Sequence, residues 1–277
     1  MTKRTLRRFL RNRSAVVGLL ITAVVVVCAV FAPWIAPYSP TAIDPAHRLE
    51  GPSREHPFGL DRYGRDILSR VIYGSRVSLQ VSLISAIIAG VSGTLLGIIS
   101  GYLGGAFDFV VMRFIDVLLC FPSILLALAI VAVLGSSLFN VSLVIAIVSM
   151  PAFARLARGT TLSLREEAYV EASRACGAHA LHIMRQHILP NCIAPIFVYG
   201  TLRLATMILS VAGLSFLGMG VQPPTPEWGA MVAEGRAFML TAPHVALFPS
   251  LAITLTVMGF NLLGDGLRDA LDPRLWV

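Results

Sequence analysis

The sequence predicts an all-α membrane protein that crosses the bilayer six times. Of its 277 residues, 56% are hydrophobic and only 13% are charged, whereas a soluble domain carries about 25% charged residues. The mean hydropathy is +0.78. Six apolar stretches approach the length of about 20 residues that a spanning helix needs. They cover residues 14–32, 78–99, 109–134, 141–156, 192–217 and 245–263.

The first apolar stretch follows a basic segment, 1–13, that contains no acidic residue. A cleavable signal peptide is the alternative, but its apolar core covers only about 7–15 residues. Pro33 also follows the candidate cleavage point. We therefore predict an uncleaved first transmembrane helix over 14–32. Because basic residues mark the cytoplasmic side, the N-terminus is predicted to be cytoplasmic, and six crossings return the C-terminus, 265–277, to the same side.

The segment 33–77 is then placed outside the cytoplasm, although it contains six arginines. Six arginines outside the cytoplasm contradict the rule that basic residues mark the cytoplasmic side. We keep this orientation because the other segments follow the rule. Within this segment, residues 66–72 mix apolar and charged side chains. We predict that they form a short amphipathic helix at the membrane surface.

One cytoplasmic segment, 164–190, differs from a simple connection between helices. Small side chains recur at helical spacing and predict a short helix with a smooth face, and Gly177 permits the turn that follows it. Pro190 suits the first turn of the next spanning helix. The small residues are Ala168, Ala172, Ala175 and Cys176. The pattern indicates a projection that can enter a groove on a soluble partner and pass a displacement to the membrane part.

This segment resembles the EAA motif of ABC importer permeases. Ser173 stands where the motif has alanine, and His187 stands where isoleucine is more usual. The matching residues are Glu171, Ala172, Ser173, Gly177, Leu189 and Pro190. Three further stretches resemble the C-type permease subunits of the peptide, nickel and opine uptake group, with glutathione and dipeptide permeases most similar. They read HPFGLDRYGRDILSRVIYGSRVSL, LSFLGMGVQPPTPEWGAM and FNLLGDGLRDALDPRL.

The resemblance implies the type I ABC importer permease fold, with a permease core over 78–264 and a coupling helix in 164–190. It implies a bacterial inner-membrane location and alternating access. It also implies several partners: a homologous second permease subunit, two ATPase subunits that bind ATP and magnesium, and an extracytoplasmic substrate-binding protein. The six matching residues would then couple this chain to an ATPase, and the chain itself would bind no cofactor.

Charged residues inside the spanning stretches are candidates for the translocation path, because such residues face a cavity or a partner. Arg203 is expected to attract a peptide carboxylate, or to be held by backbone carbonyls or an acid from another helix. Arg113 and Asp116 are three residues apart and are expected to form an ion pair on one helix face. In the outer proline-rich loop, Glu227 and Trp228 are expected to contact the binding protein, or to anchor the loop at the membrane interface.

Other functions are disfavoured by what the sequence lacks. Its single lysine, Lys3, does not follow a glycine-rich loop, so the chain has no phosphate-binding loop. Its four cysteines are scattered without metal-ligand spacing. We find no catalytic constellation and no nucleic-acid platform. Three alternatives stay open: a nickel or metal-chelate permease, an ATP-independent secondary transporter, and a membrane scaffold.

Overall fold

A computed structural model describes residues 9–271, which are built from α-helices and contain no β-strand. We number these helices in chain order. They are α1 Arg13–Val30, α2 Ala32–Ile35, α3 Ile67–Leu103, α4 Gly105–Leu119, α5 Ser123–Leu134, α6 Leu138–Leu164, α7 Ala168–Ala175, α8 Ala180–Ile183, α9 Leu189–Phe216, α10 Trp228–Gly235 and α11 His244–Leu271. Five helices of the described part are long and apolar enough to span a membrane, and the bent pair α4–α5 makes a sixth. The predicted all-α fold with six spans is confirmed.

The long helices run between two ends of the bundle. We call the end that carries α7 the coupling end, and the end that carries residues 36–66 the cap end. The helix α1 starts at the coupling end, where the Asn12 side chain accepts hydrogen bonds from the first turn. Gly18 lies so close to the backbone of α11 that a Cβ atom would approach Leu263 N to 2.5 Å. The first span is therefore packed tightly against the last.

The predicted surface helix over 66–72 does not exist as a separate element. Its residues form the first turns of α3, which runs for 37 residues, or about 56 Å at 1.5 Å per residue. Asp66 caps the helix by accepting a hydrogen bond from Ser69 N at 2.7 Å. No proline separates the amphipathic turns from the apolar span, so the backbone hydrogen bonds continue through both.

The third predicted span, 109–134, is broken into α4 and α5, which meet at an angle of 94°. The break lies at Pro122, whose ring removes a backbone donor and clashes with the preceding turn. By contrast, Pro151 is accommodated inside α6, which is 27 residues long and so exceeds its predicted span of 141–156. Both prolines are evident in the sequence, but the sequence alone does not show which of them breaks a helix.

The core of the bundle is the contact between α3 and α6. Gly93 and Gly97 of α3 face the backbone of α6, where a Cβ atom on either glycine would overlap a carbonyl oxygen. Small residues therefore permit the close approach of the two helices. At the coupling end, α11 extends to Leu271, so the predicted tail 265–277 begins within a helix. Its later part lies outside the described residues.

Candidate functional site

The coupling segment contains the short helix that the sequence predicts. The helix α7 spans Ala168–Ala175. Gly177 follows its C-cap and has a φ of +83°, a conformation that glycine adopts without strain. Ala178 N–H donates to Ser173 O at 3.1 Å, and Gly177 N–H donates to Arg174 O at 3.0 Å. This pair of hydrogen bonds is a Schellman motif, so the predicted turn at Gly177 is confirmed.

Apolar side chains fix the inner face of the coupling segment to the bundle. Val170, Ile183 and Ile188 are fully buried and belong to one apolar cluster with Ile98 of α3 and Ala157 of α6. The segment is therefore attached to two spanning helices besides the one that follows it. Its position is set by packing as well as by chain connection.

The outer face of the coupling segment is open to solvent. Glu171, Ala172 and Gly177 are exposed and Ser173 is half-buried. Leu181, an apolar residue of α8, is 71% exposed. The small residues of the predicted smooth face are all exposed, namely Ala168, Ala172, Ala175 and Cys176. A smooth surface beside a protruding apolar side chain is suited to a groove on another protein.

A helical connection runs from the coupling segment into the membrane. The helix α8 passes through a π-helical stretch, Met184–Ile188, into α9, and the whole of Ala180–Phe216 counts as one span of 37 residues. Pro190 lies in the first turn of α9, as predicted. A displacement at the coupling end can therefore pass along this helix toward the cap end without crossing a loop.

Arg203 lies in the middle of α9 and is half-buried. Its Nε donates to the Tyr199 hydroxyl at 2.6 Å, and its guanidinium lies 5.1 Å from the Tyr199 ring centroid. Tyr199 in turn packs edge-to-face on Phe153 of α6. The arginine is held by a neighbouring phenol, so its partner differs from both expected structural partners, a backbone carbonyl and an acid.

The expected ion pair between Arg113 and Asp116 is wrong. Asp116 accepts a hydrogen bond from Arg155 of α6 at 2.6 Å, while the Arg113 guanidinium lies 5.1 Å from the centroid of the Phe109 ring, one turn back. Spacing along one helix shows which side chains share a face. It does not show that the donor to Asp116 comes from a different helix, as Arg155 does. The side chains of Asp116 and Arg155 are 43% and 54% exposed.

A polar face on α9 was missed by the sequence analysis. Tyr199, Arg203, Thr206 and Ser210 follow one another at spacings of four, three and four residues, which places them on one side of a helix. Ser210 also lines a small cavity of about 30 Å³ between α5, α6 and α9. The signal that could have revealed this face is the helical periodicity of polar residues within an apolar stretch.

Glu227 and Trp228 are buried within the chain, at 0% and 2% exposure. Glu227 accepts hydrogen bonds from Ser78 Oγ at 3.1 Å and from Ala230 N at 2.9 Å, and so caps α10. Trp228 Nε1 donates to Val71 O at 2.9 Å. Neither side chain is available to a binding protein in this structure, which corrects the expected surface contact. Both instead fasten the outer loop to α3.

The cap end contains a buried network of charged residues that accounts for part of the unexpected positive charge. Arg65 donates to Asp61 at 2.6 Å and to Glu234 at 2.7 Å, and Arg70 Nε lies 3.4 Å from Asp61 Oδ2. The network joins the first outer segment to α10. Two of the six arginines are therefore neutralised by acids inside the fold.

The cap segment also contains a surface pair, Asp44 and His47. His47 Nδ1 lies 2.8 Å from Asp44 Oδ2. This hydrogen bond raises the pKa of His47 and lowers the pKa of Asp44. Because more than half of each side chain is exposed, solvent screens the attraction and its effect on stability is small.

The fold, the coupling segment and the polar spanning face define a membrane transport subunit. Residues 93–277 match the family described as the binding-protein-dependent transport system inner membrane component, and residues 1–52 match the N-terminal transmembrane domain of oligopeptide transport permease C. The chain belongs to this transport family and is a multi-pass inner-membrane permease subunit of an ABC importer.

Its relatives include the glutathione transport system permease proteins GsiD of Escherichia coli O6:K15:H31 (strain 536 / UPEC) and Shigella boydii serotype 4 (strain Sb227). The chain is 52% identical to each over 97% of its own length and 89% of theirs. A chain of the MetNI methionine ABC transporter, in an inward-facing form, matches with a TM-score of 0.61 and 18% identity. That match covers 74% of this chain and 98% of the MetNI chain, and it supports the permease fold.

Proposed function

We propose that this chain is one of two homologous permease subunits of an importer that carries glutathione or other small peptides into the bacterial cytoplasm. Two ATPase subunits bind ATP and magnesium, and an extracytoplasmic protein delivers the solute. The observation that carries this proposal is the exposed, capped helix α7, joined to the bundle core and to α9. The 52% identity to glutathione permeases supports the substrate class.

Each step of the proposed cycle follows from how the coupling segment is attached. The ATPase subunit receives α7 through Glu171, Ala172, Ser173 and Gly177, and ATP binding moves the segment. Leu189 and Pro190 lie where the π-helical stretch meets α9, so the movement is passed to α9. The polar face of α9 is then alternately exposed to the two sides of the membrane.

In the proposed path, α4, α6 and α9 contribute the solvated surface. Asp116 and Arg155 are half exposed, and Arg113 is exposed. Charged groups at this depth must face water or a partner, because lipid cannot solvate them. Arg203 adds a positive charge to the polar face of α9 and attracts the carboxylates of a peptide. Both termini of the chain are cytoplasmic in this arrangement, with the coupling end facing the ATPase.

The test is the reversal of charge at Glu171 in the complete transporter reconstituted in vesicles. Glu171→Lys is expected to abolish solute-stimulated ATP hydrolysis and uptake while the subunits still purify together. Arg185→Glu is the matched control. Arg185 is also exposed, but it lies outside the smooth face of α7, in the π-helical stretch. Wild-type uptake and ATPase stimulation in Glu171→Lys would overturn the proposal.

A further inference from the structure

An apolar cavity of about 410 Å³ lies at the cap end, between α1, α3 and α11. Its lining residues include Val24 of α1, Leu68 of α3, Trp228 of α10 and Leu251 of α11. The helices α4, α5, α6 and α9 contribute none of its lining residues. The cavity is therefore separate from the polar face assigned to the translocation path.

Apart from the Cys28 thiol, which is a weak hydrogen-bond donor, the polar groups of the lining already have partners. Ser75 and Thr256 each donate their hydroxyl to a carbonyl oxygen in the preceding turn, at 2.6 and 2.7 Å. The Trp228 indole N–H is bonded to the Val71 carbonyl at 2.9 Å. A buried water needs about two to four polar partners, and an apolar cavity of about 150 Å³ stays dry and binds benzene. This larger apolar cavity is likewise unsuited to ordered water and has room for an apolar occupant longer than benzene.

Exposed apolar side chains of two spanning helices border the cavity. At its rim, Val24 is 62% exposed and Leu255 is 47% exposed, on helices that cross the bilayer. Trp34, which is 78% exposed, lies in the short helix that follows α1. Tyr38 N–H donates to Ser69 Oγ, next to the lining residue Leu68. Tryptophan and tyrosine mark the level of the lipid headgroups. The rim is thus continuous with the surface that contacts the bilayer.

We propose that this cavity binds one acyl chain of a membrane phospholipid. The chain enters between α1 and α11 beneath a headgroup at the level of Trp34 and Tyr38, and it contacts Trp228. The bound chain completes the packing of α1 against the rest of the subunit. This site does not depend on the proposed substrate or on coupling to an ATPase.

The experiment is photo-crosslinking in the assembled transporter, reconstituted with a phosphatidylethanolamine that carries a diazirine in the middle of one acyl chain. Mass spectrometry then locates the adducts. We expect adducts on Trp228 and Ser75, which only a chain inside the cavity can reach because both are buried. Ile67, equally buried but outside the lining, is expected to carry none.

Two valines of α1 supply the matched variants. Val24 lines the cavity mouth, whereas Val27 is an exposed residue of the same helix outside the lining. Val24→Phe is expected to reduce the Trp228 adduct several-fold, and Val27→Phe is expected to leave it unchanged. Absence of adducts on Trp228 and Ser75, an equal effect of both variants, or crosslinks showing that a partner helix fills the cavity would each overturn the proposal.

Discussion

The Asp108 carboxylate accepts two hydrogen bonds from the Arg158 guanidinium, both at 2.6 Å. The pair joins α4 to α6 near the coupling end, and Ser100 Oγ of α3 donates to the same carboxylate. A bend of 94° separates α4 from α5. This contact therefore fixes the first half of a broken span to the bundle core.

A double-mutant cycle is expected to rank this pair above the one between Asp116 and Arg155. Asp108 and Arg158 are less exposed and bond through two parallel contacts, so we expect a coupling energy of about 1 kcal/mol or more. The more exposed pair should give less than about 0.5 kcal/mol. Thermal unfolding of the Asn and Gln variants, singly and combined, measures both values. Equal coupling energies would contradict the ranking.

Gly177→Ala should loosen the coupling segment. Alanine resists the positive φ at this position by about 1 kcal/mol, although open space surrounds it. Hydrogen exchange at the amides of α7 should therefore become faster. Gly159→Ala is the matched control, because Gly159 is also exposed with open space but lies within the helix α6, where alanine is favoured. Unchanged exchange in Gly177→Ala would show that the turn is not strained by a side chain.

Gly97→Ala is expected to destabilise the contact between α3 and α6. A Cβ atom there overlaps the Ala154 carbonyl, whereas at Gly90 the nearest atom, on Phe153, lies 3.7 Å away. Overpacking of this kind costs about 1–3 kcal/mol. Gly90→Ala is expected to be neutral or stabilising. Thermal unfolding of the two variants separates close packing from helix propensity, and similar melting temperatures would contradict the prediction.

Removal of Arg65 should be far more costly than removal of its neighbour Arg62. Arg65→Ala leaves Asp61 and Glu234 only the longer contacts with Arg70, at 3.4 and 3.7 Å, and the loss of the two short charged hydrogen bonds should cost about 1.5–3 kcal/mol. Arg62 is exposed over the Tyr63 ring, and its loss should cost less than about 1 kcal/mol. Unfolding midpoints of the two variants test this difference. A small effect of Arg65→Ala would mean that the buried acids find other partners.

Arg203→Gln should weaken uptake of acidic peptides several-fold more than uptake of neutral ones, since the proposed role of Arg203 is attraction of carboxylates. Tyr199→Phe retains the charge and removes only the hydrogen bond to it, so a smaller effect is expected. Competition uptake assays with peptides of equal length and different charge measure the ratio. An equal loss for both peptide types would indicate a structural arginine.

Regular features of the sequence predicted much of the architecture. The apolar length of 14–32 located α1 within two residues at each end, and the glycine after a small-residue helix located the turn at Gly177. Features that depend on contacts with other helices could not be predicted from the sequence. Pro122 breaks its helix while Pro151 does not, and Asp116 selects an arginine 39 residues away. Glu227 is a charged residue, yet it is buried and accepts a hydrogen bond from Ser78 of α3. The periodicity of the sequence cannot reveal a contact of this kind between helices.

The packing of α1 against α11 has a consequence for how the protein is made. Gly18 contacts the backbone at Leu263, and Asn12 Nδ2 donates to Asp269 at 3.3 Å, so α1 meets its main neighbour only after all the intervening helices have been synthesised. During translation α1 must wait in the bilayer with its glycine face uncovered. Truncation of the chain before α11 should therefore leave α1 without its docking partner.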